Sequence, residues 1–319
     1  MNEEILLLKK LKNLDEKAKE KLNKFFDFEI IDFESKDELF TNKFIDFKKQ
    51  KIIIIKDKFF EREAILSPKR IKRPQPEKQK ITSTNDCQFC KVDKETPEDK
   101  FGRLENNFAI TALNISQAAP YHSLIIFKKH NFTELTIEDF GGAYDLAKTW
   151  FEKAKSFDKQ IKTQLFIWNQ GFRSGASKEH PHWQIFSFHH HPYKLINFYN
   201  KIKSSEFEEY LNALKELGLV YDKDMKLWFD LTPAKEKGFS FILDKEECFK
   251  IWRVIQVLDS NNFNLIYVYS SILNNFGFFV DRGTNDKINC DFGTLEIFLS
   301  PIISSDPCEL AEKIFKEIY

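Results

Sequence analysis

Apolar residues in this chain recur in two patterns, one typical of strands and one typical of helices. Short runs rich in isoleucine and phenylalanine, bounded by charged or turn residues, predict strands. Longer stretches with apolar residues three and four positions apart predict helices. We expect strands at 51–68 (two, around a charged turn), 108–114, 122–130, 162–171, 180–188, 226–230, 239–243, 263–270, 276–280 and 293–299, and helices at 3–25, 136–157, 205–217, 245–258 and 307–318.

The order of these elements indicates an α+β protein. Antiparallel strands and one or two helices form a first half of the chain, and a similar set follows in the second half. Thr136 is expected to cap the helix that begins after it, because Glu138 and Asp139 suit the N-terminal end of a helix. The basic, proline-bearing stretch 69–86 predicts an ordered loop or a linker.

Composition narrows the class of protein. The chain has 49 basic and 49 acidic residues, so its formal net charge is zero, which argues against a dedicated nucleic-acid or membrane-surface protein. No apolar run approaches the length of a membrane span, and the N-terminus lacks the pattern of a secretion signal. Five scattered cysteines do not suit a disulfide scaffold. We therefore expect a cytoplasmic protein with neither a nucleic-acid nor a membrane partner.

The stretch "SGASKEHPHWQIFSF", residues 174–188, carries the first candidate chemistry. Alternate residues of a strand share a face, so His180, His182 and Gln184 are expected to point the same way. The preceding loop contains Gly175 and Ser177, small residues that let backbone N–H groups approach an anion. Imidazole is a competent nucleophile toward a phosphate held there. The alternative is an ordinary strand whose histidines are half-buried and hydrogen-bonded.

A second signal is the C-x-x-C sequence formed by Cys87 and Cys90 in "NDCQFCKV". Such a pair indicates either a zinc site or a redox pair. A structural zinc ion needs four ligands, and the chain has no second C-x-x-C. His130 and His180 are candidates for the two missing ligands. Cys248, Cys290 and Cys308 are expected to be buried structural thiols.

Together these motifs resemble the galactose-1-phosphate uridylyltransferase branch of the histidine-triad superfamily. "NQGFRSGASKEHPHWQ" resembles its active-site strand, and "REAILSPKRIKRPQP" resembles its N-terminal segment. The C-x-x-C pair and "HSLIIFKKHNFTEL" fall between them in family order. The resemblance spans roughly residues 50–190. ADP-glucose phosphorylase and diadenosine tetraphosphate phosphorylase belong to related branches.

The resemblance implies a role for each matching residue. His182 would be the nucleophile that accepts a nucleoside monophosphate, Gln184 would hydrogen-bond the transferred phosphoryl group, and a structural zinc ion would anchor the strand. The other implied phosphate-, nucleotide- and loop-binding residues are Ser177, Gly175, Asn169, Asn106, Asn107, Arg70 and Arg73, and the implied zinc ligands are Cys87, Cys90, His130 and His180.

The resemblance also implies two halves of histidine-triad type with antiparallel sheets and packed helices, the second half degenerate. We expect an N-terminal helical extension at 1–49, a catalytic domain with the zinc knuckle at 50–200, and the degenerate domain at 201–319. The chain departs from the family in two places. "SKEHPH" replaces the usual Asn-Pro before the first histidine, and no histidine follows His191. The second departure weakens the case for galactose 1-phosphate as acceptor.

The expected function is that of a nucleotidyltransferase or phosphorylase acting through a nucleotidyl-histidine intermediate. The donor would be a nucleotide sugar or a dinucleoside polyphosphate, the acceptor phosphate or a sugar 1-phosphate, and the protein a homodimer. Two other classes stay open, a nucleotide-binding zinc protein without turnover and a nucleic-acid-binding zinc protein. His122 suits either a functional or a structural role. His189 to His191 are expected to end their strand at the surface, with a second metal site there as the less favoured alternative.

Overall fold

Two sheets and the helices around them form the α+β fold that the element order predicts. The computed structural model describes residues 5–34, 49–67, 87–114, 118–176, 178–223, 225–243, 248–269, 275–283 and 301–318. One sheet has nine strands and the other has four. No helix among these residues is long and apolar enough to cross a membrane.

The first half of the nine-stranded sheet consists of two hairpins separated by a long helix. Its elements are β4 (Ala109–Leu113), β5 (Tyr121–Phe127), helix α4 (Ile137–Phe157), β6 (Thr163–Gln170) and β7 (His182–Phe188). In the sheet these strands lie in the order β4-β5-β7-β6. The second hairpin therefore returns to place β7, not β6, beside the first hairpin.

The second half repeats this arrangement. Its elements are β8 (Val220–Asp222), β9 (Lys226–Phe229), β10 (Phe239–Leu243), helix α7 (Cys248–Leu258), β11 (Phe263–Tyr269) and β12 (Asn275–Asp281). The order in the sheet is β9-β10-β12-β11, with β8 as an added edge strand beside β9. The halves join where β6 pairs antiparallel with its counterpart β11, Ile167 opposite Ile266. The prediction of two similar halves is confirmed.

One face of the sheet, the helix face, packs against α4 and α7. Alternate strand residues supply large aromatic rings to it, as the two-residue period of a strand requires. Trp183 of β7 stacks on Phe166 of β6 with ring centroids 4.2 Å apart. Trp168 stacks on Trp252 of α7 at 6.0 Å. These rings form the centre of the core and hold β6 and β7 rigidly against the helices.

Helix α4 begins where the sequence predicts. The Thr136 hydroxyl accepts a hydrogen bond from the Asp139 backbone N–H at 3.4 Å, and the Asp139 carboxylate accepts one from the Thr136 N–H at 2.7 Å. This reciprocal pair is a capping box, in which two N–H groups at the helix start obtain partners. Thr136 is confirmed as the cap.

The N-terminal segment differs from the single helix expected at 3–25. It forms two helices, α1 (Leu6–Asn13) and α2 (Glu16–Phe25). The break lies at Leu14, whose ψ of 140° is extended. Asp15 then starts a new helix, because its carboxylate accepts a hydrogen bond from the Ala18 N–H at 2.8 Å. The spacing of apolar residues continues through the break. The first helix nevertheless ends because Leu14 is extended, and Asp15 caps the start of the second helix.

The small sheet is built from β1 (Phe26–Glu34), β2 (Lys49–Asp57), β3 (Arg62–Leu66) and β13 (Ile302–Ile303). The first three strands are antiparallel, and β13 pairs parallel with β3. Strands β2 and β3 are the pair predicted at 51–68, whereas β1 lies inside the predicted helical extension. The remaining helices are the short α3 (Val92–Glu95), α5 (Tyr193–Ile202), α6 (Glu206–Glu216) and α8 (Pro307–Ile318). The strand expected at 293–299 lies outside the described residues.

The other face of the nine-stranded sheet, the far face, is covered differently in the two halves. In the second half Phe198 of α5 packs on Phe278 of β12, with centroids 4.5 Å apart, and on Phe60 of the small sheet at 5.1 Å. In the first half the far face carries His122, His182 and Gln184 instead. His122, His182 and Gln184 therefore share one face of the first half.

Candidate active site and metal centre

A short segment bearing the C-x-x-C pair covers the outer edge of the far face. Cys87 caps a 3₁₀ turn, Gln88–Cys90, and α3 follows it. Phe89 and Val92 of this segment bury themselves against apolar residues of β4 and β5, namely Ile110, Ala112, Leu124 and Ile126. The two cysteines are thereby held beside the start of β7.

The knuckle cysteines meet two histidines from different elements. Nδ1 of His180 lies 3.5 Å from Sγ of Cys87 and 3.6 Å from Sγ of Cys90. Nδ1 of His130, which follows β5, lies 3.2 Å from Nδ1 of His180 and 3.1 Å from Sγ of Cys90. All four ligand atoms lie within 4.8 Å of one another. The structure brings together the four predicted metal ligands.

These distances fit a tetrahedral zinc site. Sulfur and nitrogen ligands about 2.0–2.3 Å from a zinc ion lie roughly 3.3–3.8 Å from each other at tetrahedral angles. Nε2 of His180 donates to the Phe127 carbonyl at 2.7 Å, which leaves Nδ1 unprotonated and directed at the cysteines. Burial lowers the pKa of His180, which favours the neutral imidazole that a metal requires. Cys87, Cys90, His130 and His180 could therefore hold a zinc ion.

His182 lies two residues beyond His180 and presents one nitrogen to the site. Its Nδ1 lies 2.9 Å from the His180 carbonyl oxygen, which can only accept, so Nδ1 carries the proton. The lone pair is therefore on Nε2, where a nucleophile needs it. Phe89 packs edge-on against the ring with centroids 5.0 Å apart. Burial lowers the pKa of His182, which keeps the imidazole neutral.

Gln184 is connected to His122, the residue whose role the sequence left open. The Ala118 backbone N–H donates to Nδ1 of His122 at 3.2 Å, so the ring proton is on Nε2. Nε2 lies 3.1 Å from Oε1 of Gln184 and 2.9 Å from the side-chain amide of Asn114, which itself lies 3.4 Å from Oε1 of Gln184. The His122 ring also stacks on Phe186 at 3.9 Å. His122 and Asn114 together contact the oxygen of the Gln184 amide, which leaves its NH₂ group as a donor.

Asn169 and the loop after it follow the end of the β6–β7 pairing. Ile167 pairs with Gln184, and continuing this antiparallel register places Asn169 opposite His182 on the far face. Gly171 and Gly175 have φ of 77° and 84°, the left-handed region that suits glycine. The loop therefore uses glycine at these two positions because its backbone is left-handed there.

Asn106 and Asn107 have different surroundings. Oδ1 of Asn106 accepts from the backbone N–H groups of Phe108 and Ala109, both at 2.9 Å. Its Nδ2 donates to the Gly142 carbonyl at 2.8 Å, which ties the start of β4 to helix α4. Asn107 is exposed. The nucleotide contact of both residues stays a prediction.

Three predicted site residues, Arg70, Arg73 and Ser177, lie outside the described residues, and so does Cys290. Cys308 is buried with a free thiol, as expected of a structural cysteine. The phosphate-binding roles of Ser177, Arg70 and Arg73 therefore stay predictions.

The second histidine group sits at the end of β7, remote from the metal ligands in the sheet. Nε2 of His189 lies 2.8 Å from Oδ2 of Asp158, and Nδ1 of His191 lies 2.7 Å from Oγ1 of Thr163. Within the described ranges, the knuckle cluster is the one group of three or more potential ligands. The structure gives these histidines local partners and favours the surface interpretation.

Comparison with known families and structures agrees with this site. Residues 56–192 match the family model described as galactose-1-phosphate uridyl transferase, N-terminal domain. The match contains the cysteine pair, both strand histidines and Gln184. No curated protein matches the sequence significantly.

Several solved structures share the fold. An ADP-glucose phosphorylase from Arabidopsis thaliana with bound ADP-glucose is similar at 18% identity and a TM-score of 0.60, over 82% of this chain and 97% of that one. A GalT-like protein from the same organism is similar at 17% identity and a TM-score of 0.55, over 82% and 97%. A uridylyltransferase is similar at 13% identity and a TM-score of 0.52, over 83% and 98%. The likeness thus extends through both halves.

Proposed function

We propose that this protein is a nucleotidyltransferase or phosphorylase that acts on a nucleotide sugar, because residues 56–192 match the N-terminal domain model of galactose-1-phosphate uridyl transferase. The observation that carries the proposal is the proton arrangement of His182. Its Nδ1–H is bound to the His180 carbonyl at 2.9 Å, so Nε2 offers its lone pair on the far face. A neutral, oriented imidazole is suited to attack phosphorus.

The proposed reaction has two displacements at the α-phosphorus of the donor. In the first, Nε2 of His182 attacks, a P–N bond forms, and the P–O bond to the sugar 1-phosphate breaks. In the second, an acceptor oxygen attacks the nucleotidyl-histidine, and the P–N bond breaks. Positioning and charge stabilisation supply most of the catalysis in such transfers.

The other residues would bind and orient the phosphoryl group. The Gln184 amide, oriented by His122, would donate to a phosphoryl oxygen in both steps. Gly175, Ser177, Arg70 and Arg73 would hold phosphate oxygens, because backbone N–H groups and guanidinium forks suit that geometry.

His180 is not the nucleophile in this proposal. Its Nε2 carries the proton that it donates to the Phe127 carbonyl, and its Nδ1 faces the two cysteines. Zinc bound by the four ligands would contribute folding energy and fix the start of β7. His180 would thus bind the metal, and His182 would attack phosphorus.

The donor and acceptor classes follow the fold neighbours. The ADP-glucose phosphorylase of similar fold holds ADP-glucose, which supports a nucleotide sugar as donor. A dinucleoside polyphosphate is the second candidate. The absence of histidines after His191 makes inorganic phosphate at least as suitable an acceptor as a sugar 1-phosphate. We also propose a cytoplasmic location, since paired metal-binding thiols suit a reducing compartment, and a homodimer, which the family resemblance implies.

The test is covalent labelling of the protein. Purified enzyme is incubated with UDP-glucose, ADP-glucose and diadenosine tetraphosphate, each labelled at the α-phosphate, and analysed by intact mass. The expected result is an acid-labile mass of one nucleoside monophosphate, absent in His182→Ala. Tight nucleotide binding without any covalent mass would instead support a nucleotide-binding protein without turnover. Full labelling of His182→Ala would disprove the assignment.

A further inference from the structure

Two asparagines of the second half reach across the β6–β11 junction to Asn169 and the loop after it, and an arginine of the same half holds one of them. They are Asn262 and Asn264, around the start of β11, and Arg282, just after β12. We call these three residues the brace. None of them belongs to the family-matched segment, which ends at residue 192.

Asn262 fixes the loop backbone. It is fully buried, its Oδ1 accepts from the Arg173 N–H at 3.2 Å, and its Nδ2 donates to the Gly283 carbonyl at 3.0 Å. A Cβ on Gly171 would lie 2.3 Å from Oδ1 of Asn262. The loop therefore passes so close to Asn262 that only glycine fits at position 171.

Asn264 connects the loop to Asn169. Its Nδ2 donates to Oδ1 of Asn169 at 2.7 Å and to the Ser174 carbonyl at 2.9 Å. Its Oδ1 accepts from Nη1 of Arg282 at 2.6 Å. Both side-chain atoms of Asn264 are thus committed to particular partners.

The guanidinium of Arg282 settles which way both amides face. A guanidinium can only donate, so the atom of Asn264 that faces it must be the oxygen. The NH₂ of Asn264 must then face Asn169, and the oxygen of Asn169 must accept. The NH₂ of Asn169 is consequently directed away from Asn264. Asn169 is also the residue that the continued β6–β7 register places opposite His182. A cation in one half thereby dictates the hydrogen-bond polarity of a side chain in the other.

The anchor of Arg282 is itself rigid. Its backbone N–H donates to the Asn262 carbonyl at 2.7 Å. The preceding Asp281 is held by the Ser260 hydroxyl at 2.5 Å and by Nζ of Lys237 at 2.9 Å. The brace is therefore built into the end of β12 and is not a chance surface contact.

We propose that the brace makes the second half a positioning element of the active site: Arg282 orients Asn264, and Asn264 orients Asn169 so that its NH₂ donates to the phosphoryl group transferred to His182. This inference rests on the proposed function. Asn264 and Arg282 act through Asn169 and touch no reacting atom. A fixed donor stabilises the charge that develops on the phosphoryl oxygens without reorganisation.

The test combines a kinetic and a substrate-independent measurement. The control variant is Asn261→Ala, whose exposed side chain lies at the same turn. It is compared with Asn264→Ala, Asn169→Ala, the double variant of these two, Arg282→Ala and Arg282→Lys. The rate of His182 labelling is measured with the donor panel above. Backbone amide hydrogen exchange of the 170–176 segment is measured without any substrate.

We expect Asn264→Ala to slow labelling about 10- to 100-fold with little change in the Michaelis constant, because misplacing a donor affects the transition state most. In the Asn169→Ala background the same change should have almost no further effect. Arg282→Lys should recover part of the rate lost in Arg282→Ala, and Asn261→Ala should behave as wild type. Amide exchange of the loop should accelerate in Asn264→Ala.

Each other outcome contradicts a defined part of the proposal. Wild-type labelling by Asn264→Ala, or an equal loss in both backgrounds, would overturn the brace while leaving the proposed function intact. If the wild type itself takes no label from any donor, the proposed function fails and the exchange data alone judge the brace. Unchanged exchange in Asn264→Ala would then refute it.

Discussion

The two halves of the nine-stranded sheet share one topology and differ in what covers their far faces. In the first half this face carries His122, His182 and Gln184. In the second half, aromatic rings from α5 and the small sheet pack against Phe276 and Phe278. The comparison teaches that the same hairpin–helix–hairpin can present polar, titratable side chains or a packing surface on its far face. The covering elements and the side chains facing them decide which.

Metal removal should have the largest effect on the first half. Structural zinc contributes on the order of 10 kcal/mol to folding in small zinc domains. We expect Cys90→Ser to lose the metal and lower the melting temperature by more than any other single change proposed here. Metal content and thermal unfolding measure this, with Cys308→Ala as a control that keeps zinc. Full stability of the metal-free protein would contradict the structural role.

Replacing the nucleophile should remove activity without affecting the fold. We expect His182→Ala to keep zinc and melt near the wild-type temperature, yet to lose nearly all turnover, at least about 1000-fold. His182→Gly should regain part of the transfer with added imidazole, because the cavity can admit the missing ring. His180→Ala should instead lose zinc. Equal turnover in wild type and His182→Ala would refute the assignment.

Disturbing the packing of the second half should instead lower the stability of the fold. Phe198 is 5% exposed and packs on rings of both sheets. Its replacement by alanine should cost about 3–5 kcal/mol of unfolding free energy, as for other buried aromatic residues. Tyr193→Ala, on the same helix but 79% exposed, is the matched control. Denaturant unfolding gives both values. A neutral Phe198→Ala would mean that α5 does not cover the far face.

A buried carboxylate in the second half should give the smallest of these effects, visible as a pH dependence. Burial raises the pKa of Asp230 to about 6, although Arg62 opposes the shift. Because the folded-state pKa is raised, the stability contribution is complete below the unfolded pKa of 3.8 and is lost as pH rises through about 6. The difference corresponds to about 3 kcal/mol.

Asp230→Asn should therefore lose less stability than wild type between pH 5 and pH 8. Melting temperatures at the two values measure the difference. The control is Asp145→Asn, which removes an exposed carboxylate of α4. Identical pH profiles of wild type and Asp230→Asn would contradict the raised pKa.

The sequence predicted the metal-ligand cluster and the start of α4 because their signals are local. The C-x-x-C spacing and the His-Pro-His alternation each need only a few residues, and Thr136 precedes its acidic partner by three. The broken N-terminal helix was missed because Leu14 keeps the apolar period while its backbone leaves the helix. Strand β1 was included in the predicted helical extension, although "FDFEIIDFE" largely alternates apolar and acidic residues as a strand does.

The brace could not be predicted, since its contacts are entirely long-range. Asn264 lies 95 positions from Asn169 in the chain, and a lone asparagine carries no motif. The pairing of β6 with β11 creates that contact, and no local propensity encodes it. His122 shows the intermediate case, because its position before a strand was noticed but its bond to Gln184 depends on the pairing of β5 with β7.

The β6–β11 junction has a consequence for how the chain can be divided. Strand β6 is a central strand, with β7 on one side and β11 on the other. A fragment ending near residue 200 would turn it into an uncovered edge, rich in large apolar side chains and open to pairing with other copies. Unfolding of either half would likewise strip the backbone partners of the other. The two halves therefore form one cooperative unit, whose internal symmetry does not make it separable.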